Sequence, residues 1–244
     1  MKVKKKVRKI LRYGIGPGRK ERENRAKVAA RAAAFRDDGT WERGDDITRR
    51  RYASYEAYVT HQASKLDRIV DRLHDTLEED YQDFVRRFKG CEPLRGANNV
   101  LCLGARLGTE VRALHSLGYF AVGIDLNCGK DNPYVLPGDF HGLVFPTGSV
   151  EAVYTNVMDH VFDLDRFMAE VRRVLKPGGV FIVDMVEGYE EGYTPGDFEA
   201  MSWRNKDVLI RRIEKAGGLE AVQTRDLGNL RQQRWTQVVF RLPG

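Results

Sequence analysis

The stretch Val100-Leu101-Cys102-Leu103-Gly104-Ala105-Arg106-Leu107-Gly108-Thr109-Glu110 decides the fold. Four apolar residues read as a strand, Gly104 to Gly108 as a turn, and Thr109 as the start of a helix. The spacing G-x-x-x-G lacks the third glycine of a dinucleotide-binding turn, and no Gly-Lys-Ser/Thr comes after it, which excludes a P-loop. Gly104 and Gly108 nonetheless let the backbone approach a ligand closely. The helix start beyond them offers free N–H groups and a positive dipole end.

Working outward, the chain after Pro93 alternates short apolar runs with helical patterns. Val100 to Leu103, Phe120 to Ile124, Ala152 to Thr155 and Val180 to Val183 read as strands, with helices near Thr109 to Leu117 and Asp163 to Val174. Such alternation argues a parallel sheet covered by helices on both faces, hence the α/β class. A helix near Lys206 to Ala216 leads through Gly217-Gly218 to a strand near Leu219 to Thr224. The final run, Arg234 to Leu242, is expected to pair antiparallel beside it.

Upstream, no Gly or Pro interrupts Arg49 to Lys89. Apolar residues from Tyr55 to Phe88 recur three, four or seven apart, which predicts one long amphipathic helix or two abutting ones, stopped by Gly90 and Pro93. Residues 1–36 carry fourteen Lys or Arg against Glu21 and Glu23, so the other residues, 27 basic against 33 acidic, form a mildly acidic body. The partition expected is a basic arm over 1–48, partly helical or disordered, a helical lid over 49–90, and a main domain over 91–244. Within the arm, Met1 to Tyr13 reads as a short basic amphipathic helix, and a second helix begins near Lys20. It is either a solvated tail or a contact for an anionic membrane surface or nucleic acid.

The 244 residues suit one main domain with appendages, and 42% hydrophobic with 31% charged is an ordinary globular balance. No run of roughly eighteen apolar residues is present to span a bilayer. The basic N-terminus lacks the apolar core of a secretory signal. Cys91, Cys102 and Cys128 are spread out, without a CxxC pair, so neither a disulfide framework nor a zinc site is suggested. The expectation is a cytoplasmic protein, peripheral to a membrane if the arm binds lipid.

In an open α/β sheet, ligands bind beyond the carboxyl ends of the strands. Asp125 ends the second strand, where a carboxylate can accept both hydroxyls of a ribose. Gly138-Asp139-Phe140 ends the third, with an acid and an aromatic placed to meet an adenine. With these residues the chain resembles the class I S-adenosylmethionine-dependent methyltransferases, in particular the methyltransferase type 11 group. VLCLGARLGTEVRAL (100–114) looks like the first motif, VGIDLN (122–127) the ribose-binding segment, FPTGSVEAVYTN (145–156) the fourth strand and LKPGGVFIV (175–183) the fifth.

The resemblance implies a Rossmann-like, seven-stranded, mostly parallel sheet with an antiparallel terminal strand, preceded by an N-terminal helical extension, and S-adenosyl-L-methionine as cofactor. Carried over, Gly104 and Gly108 line the cofactor, Asp125 holds the ribose, Asp139 and Phe140 contact the adenine, and Asn156 sits near the methionine part. Two positions depart from the family. Cys102 stands where an acid usually helps hold the cofactor ammonium, a task left to Glu110 or a backbone carbonyl, and Arg106 stands where a glycine is common. Arg106 either grips the cofactor carboxylate in a bidentate pair or lies in a solvated turn.

Methyl transfer to a hydroxyl needs a proton acceptor. His160 is the first candidate, Asp159 the second and His141 a distant third, since Asp159-His160 comes after the fourth strand. No carboxylate cluster marks a metal site. The expected activity is methylation, on oxygen, of a small molecule or glycan such as a surface-glycan precursor, with residues 187–203 and the lid wrapping the acceptor. The alternatives are a nucleic-acid-associated methyltransferase that uses the arm, and a non-catalytic binding protein of the same fold.

Overall fold

A computed structural model describes Phe35, residues 39–230 and residues 233–244. The two helices expected within residues 1–36 and the arm's contacts lie outside the described residues, Phe35 apart. The chain divides into two units, Met1–Thr40 and Trp41–Gly244, and the strands and helices named below all belong to the second. Among the described residues no helix is long and apolar enough to cross a membrane.

The strands are β1 (Trp41–Arg43), β2 (Ile47–Arg50), β3 (Asn99–Leu103), β4 (Phe120–Asp125), β5 (Val135–Pro137), β6 (Val150–Thr155), β7 (Leu175–Val186), β8 (Met201–Trp203), β9 (Glu220–Leu230) and β10 (Gln233–Arg241). The helices are α1 (Tyr55–Ala63), α2 (Lys65–Asp75), α3 (Leu77–Lys89), α4 (Thr109–Ser116), α5 (Leu164–Val174) and α6 (Lys206–Gly217). Seven strands form one sheet in the order β5-β4-β3-β6-β7-β10-β9. Strands β3 to β7 pair in parallel, while β10 pairs antiparallel with both β7 and β9. The order reverses between β3 and its neighbours β4 and β6, which is the switch point where open α/β sheets hold ligands.

Side-chain alternation divides the strands between two cores. Leu101, Leu103, Val153, Phe181 and Val183 share one with Phe167 and Val171 of α5 and Leu209 and Ile213 of α6. Val100, Cys102, Ala152, Tyr154 and Ile182 share the other with Phe84 and Phe88 of α3 and Val111 and Leu114 of α4. The sheet is therefore covered on both faces, and its central strands read as unbroken apolar runs for that reason.

The helical reading of Arg49 to Lys89 requires correction. Arg49 and Arg50 belong to β2, residues 51–54 are not helical, and Tyr55 to Lys89 form three helices rather than one or two. Neither break has a glycine or proline. Ser64 Oγ donates to the carbonyl of His61 and Thr76 Oγ1 to that of Arg72, the back-bonding by which hydroxyl side chains bend and interrupt helices. Residues 41–43 and 47–50 join Met201–Trp203 in a separate three-stranded antiparallel sheet. Strands β7 and β9 also run beyond the short stretches expected, β7 because Lys176 to Gly179 bulge between its pairings at Leu175 and Val180.

Helix α3 is fixed to the sheet by a buried polar network. The Arg87 guanidinium lies 3.0 Å from Asp184 Oδ2 on β7, and the same carboxylate accepts from Tyr154 and Gln237. With every oxygen bonded, the ion pair locates α3 without leaving an orphaned charge. Asp184 is thus structural.

Candidate functional site

The turn after β3 takes its shape from backbone that ordinary residues resist. Gly104 and Gly108 have φ of +75° and +76°, and a Cβ at Gly104 would lie 2.3 Å from a Val157 methyl carbon. Arg106 also takes a positive φ, +46°, so the side chain occupies a backbone position that suits glycine. The strain is held by Asp125, whose Oδ2 accepts from the Arg106 N–H at 2.9 Å while Oδ1 accepts from Asn127 N–H at 2.9 Å. Asp125 ends β4, and its two backbone bonds fix the carboxylate while leaving lone pairs for a ligand.

A pocket at the carboxyl ends of these strands is lined by Gly104, Arg106, Asp125, Leu126, Phe140 and Val157 from the sheet side. Tyr58, Gln62, Lys65 and Leu66 of α1 and α2 close it from the other side, and His160 lies at its edge. The helices are bonded down at several points. Tyr58 donates to the His160 carbonyl at 2.9 Å, Gln62 to that of Phe198 at 2.7 Å, and Asn127 to that of Ala63 at 2.8 Å. Each such bond contributes about 1 kcal/mol.

Arg106 is half-buried beside Asp125, and desolvation lowers its pKa against the opposing pull of Asp125 and Glu110. Glu110, on the first turn of α4, is buried, and desolvation pushes its carboxyl up to about 8 despite its own backbone bond and Arg106. Cys102 has no exposed surface and lies in the core under the turn, where burial raises the thiol well above its usual value. It serves packing.

Of the residues singled out in the sequence, Gly104, Arg106, Asp125, Phe140 and His160 come together around the pocket. Gly108 lies behind the turn, against Tyr134 and Val135, as the left-handed residue that starts α4. Asn156 comes after β6 and Asp139 after β5, and neither lines the pocket. Asp139 is instead engaged by α1. Its Oδ2 accepts from the Tyr55 hydroxyl at 2.5 Å, and its Oδ1 from the His141 backbone N–H at 2.8 Å. Burial raises its pKa, but the bonds from His141 and Tyr55 outweigh burial and bring it down to about 2.

Asp159 and His160 form a turn of 3-10 helix directly after β6. Asp159, His160 and Glu199 bring ligand atoms within 4.8 Å of one another. The Lys65 amine stands among them, with Nζ 2.5 Å from His160 Nε2. Lys65 went unmarked in the sequence. No helical spacing marks it, since the break at Ser64 separates it from the helix that carries His61 and Gln62.

Residues 101–183 match the family model described as "Methyltransferase domain". Solved structures share the fold. The 1,6-didemethyltoxoflavin-N1-methyltransferase of Burkholderia thailandensis, solved with 1,6-didemethyltoxoflavin and S-adenosylhomocysteine, is 12% identical with a TM-score of 0.63, covering 84% of this chain and 100% of that one. A methyltransferase of Thermotoga maritima described as S-adenosylmethionine-dependent is 16% identical with a TM-score of 0.57, covering 74% and 98%. The chain solved in complex with the Haloferax volcanii Trm112 methyltransferase activator is 18% identical with a TM-score of 0.57, covering 75% and 98%. A search of curated proteins gives no match.

Proposed function

We propose that this chain, which carries a methyltransferase domain over residues 101–183, binds S-adenosylmethionine beyond the carboxyl ends of β3 and β4 and methylates a small molecule. The observation that carries the reading is the pairing of Asp125 with the turn. A carboxylate fixed by two backbone N–H groups faces the pocket beside a guanidinium, between the apolar walls of Leu126 and Phe140. That donor set fits an adenosyl amino acid, with a diol acceptor, an aromatic wall and a carboxylate partner in one cleft.

Asp125 takes the ribose hydroxyls, Phe140 and Leu126 flank the adenine, Gly104 and Gly108 shape the turn, and Arg106 pairs with the carboxylate. Asp139 reaches the adenine amino group once Tyr55 yields it, and Asn156 borders the methionine part. Bound there, the cofactor supplies a methyl group on a sulfonium. The protein's part is to hold the acceptor in line with it and to receive the acceptor's proton. His160 lines the cleft, Asp159 next to it accepts from the Tyr193 hydroxyl, and His141 is turned toward Asp139 instead.

Between the small molecule and the glycan unit read from the sequence, closure by α1 and α2 favours the small molecule, methylated on oxygen. A nucleic-acid acceptor would rest on the arm, outside the described residues. A screen of tritiated-methyl transfer into fractionated small-molecule, glycan, RNA, lipid and protein pools tests the reading. Label in the small-molecule pool is expected, and label confined to RNA would replace the acceptor proposed.

A further inference from the structure

The pocket contains a lysine to which the cofactor reading gives no task. Lys65, at the start of α2, reaches into the pocket and sets Nζ 2.5 Å from His160 Nε2. The other ring nitrogen, Nδ1, lies 2.9 Å from the Phe198 carbonyl, which can only accept, so Nδ1 carries the ring proton. The ring is then neutral, and its one lone pair is taken by a Lys65 N–H. His160 has no free lone pair to offer a substrate.

Lys65 differs. With one N–H donated to His160, a neutral amine keeps a lone pair that can turn into the cleft. Tyr58 and Gln62 hold the preceding helix to the loops beyond β6 and β7, and the Phe198 ring lies under both Lys65 and Arg68, 5.6 Å and 5.3 Å from its centroid. The charged groups that act on the amine are Arg106, which repels its proton, and Asp159, Glu199 and Asp125, which favour it.

Resting on the methyltransferase reading, we propose that Lys65 is the proton acceptor of the methyl transfer, with His160 as its positioning residue, and that the substrate offers an acidic O–H or N–H of the phenol, enol or heteroaromatic type. In the step, the acceptor's O–H or N–H bond breaks and its proton passes to the Lys65 amine, which becomes an ammonium. The acceptor oxygen or nitrogen forms the new bond to carbon as the carbon–sulfur bond breaks, and that electron pair stays on sulfur. Burial first, and Arg106 second, bring the amine down to about 8, so a useful fraction is neutral in mildly alkaline solution. A base of this strength matches a phenol or ring N–H and is poorly matched to an unactivated alcohol.

Two measurements on the full chain test this. The first is acetic anhydride labelling across about pH 6 to 11, read by peptide mass spectrometry, in which Lys65 should reach half-maximal reactivity near pH 8 and exposed lysines near about 10.4. Lys65 titrating with the exposed lysines overturns the proposal. The second is tritiated-methyl transfer to 4-nitrophenol, phenol, 2-hydroxypyridine and benzyl alcohol. The first three should accept and the alcohol should not, and Lys65→Met should lower kcat by roughly 100-fold, with partial rescue by added ethylamine.

Full turnover by Lys65→Met, or transfer to none of the acidic acceptors, overturns it. His160→Gln should move the acid limb of the kcat profile, and an unmoved limb removes the positioning role. Calorimetry with S-adenosylhomocysteine separates the two readings. Absent binding defeats the methyltransferase reading itself, whereas intact binding with an ordinary Lys65 defeats this inference alone.

Discussion

The ring of His160 is held from both sides, by Lys65 Nζ at 2.5 Å from Nε2 and by the Phe198 carbonyl at 2.9 Å from Nδ1. Burial first, and Lys65 second, push its pKa from 6.5 down to about 3. Between those values the unfolded chain binds more protons than the folded one, so stability is unaffected above about pH 6.5 and falls as the pH drops toward 3. Urea unfolding of wild type and His160→Gln at about pH 7.5 and pH 4.5 checks this. The variant should lose less stability on acidification, and parallel losses would show that the ring is protonated in the fold.

Arg106 carries a side chain at φ +46°, backbone that favours glycine. A non-glycine residue in this region costs about 1–2 kcal/mol, and glycine returns about 0.5–1 kcal/mol of that as chain entropy. Arg106→Gly is therefore expected to match or exceed wild type in thermal stability by up to about 1 kcal/mol. Its affinity for S-adenosylhomocysteine should fall roughly tenfold, about 1.4 kcal/mol, through loss of the carboxylate partner. Unchanged affinity by calorimetry would place the guanidinium outside the ligand's contacts.

Arg87 and Asp184 join α3 to the sheet with side chains 12% and 0% exposed. Removing one partner of a buried pair leaves an uncompensated charge, and about 3 kcal/mol is the expected loss for Arg87→Leu. Tyr154 and Gln237 still bond the orphaned carboxylate and hold the loss to the lower end of the range. Denaturant midpoints measure it. Asp184→Asn, which removes the charge and retains the shape, should cost less.

The central strands were legible because burial on both faces writes them as apolar runs, and glycine turns punctuate them. Strand Asn99–Leu103 and helix Thr109–Ser116 fall within a residue of their expected bounds. The pre-domain helices were not legible in the same way. Their breaks at Ser64 and Thr76 come from hydroxyl groups bonding back to carbonyls, and serine or threonine in a helical pattern more often marks no break. Strands β1, β2 and β8 were missed because three or four residues give too little alternation to detect, and the pairing of β2 with β8 joins distant segments, Ile47 with Trp203.

At the site, Asp125 could be read from its place at a strand end, since topology alone brings it to the turn. Lys65 could not, because its role depends on how α2 folds over the sheet. The sequence also left open whether Arg106 faces solvent. The structure leaves it half-buried beside Asp125, and the two line the same pocket.

The central claim is that Asp125 and the Gly104–Gly108 turn form an adenosyl site, and calorimetry of S-adenosylhomocysteine with wild type and Asp125→Ala tests it most directly. Wild type should bind, and the variant should bind at least roughly tenfold more weakly, about 1.4 kcal/mol, because a ribose diol loses its acceptor. No heat of binding by wild type at about millimolar ligand, or equal affinity in the two proteins, would contradict the account.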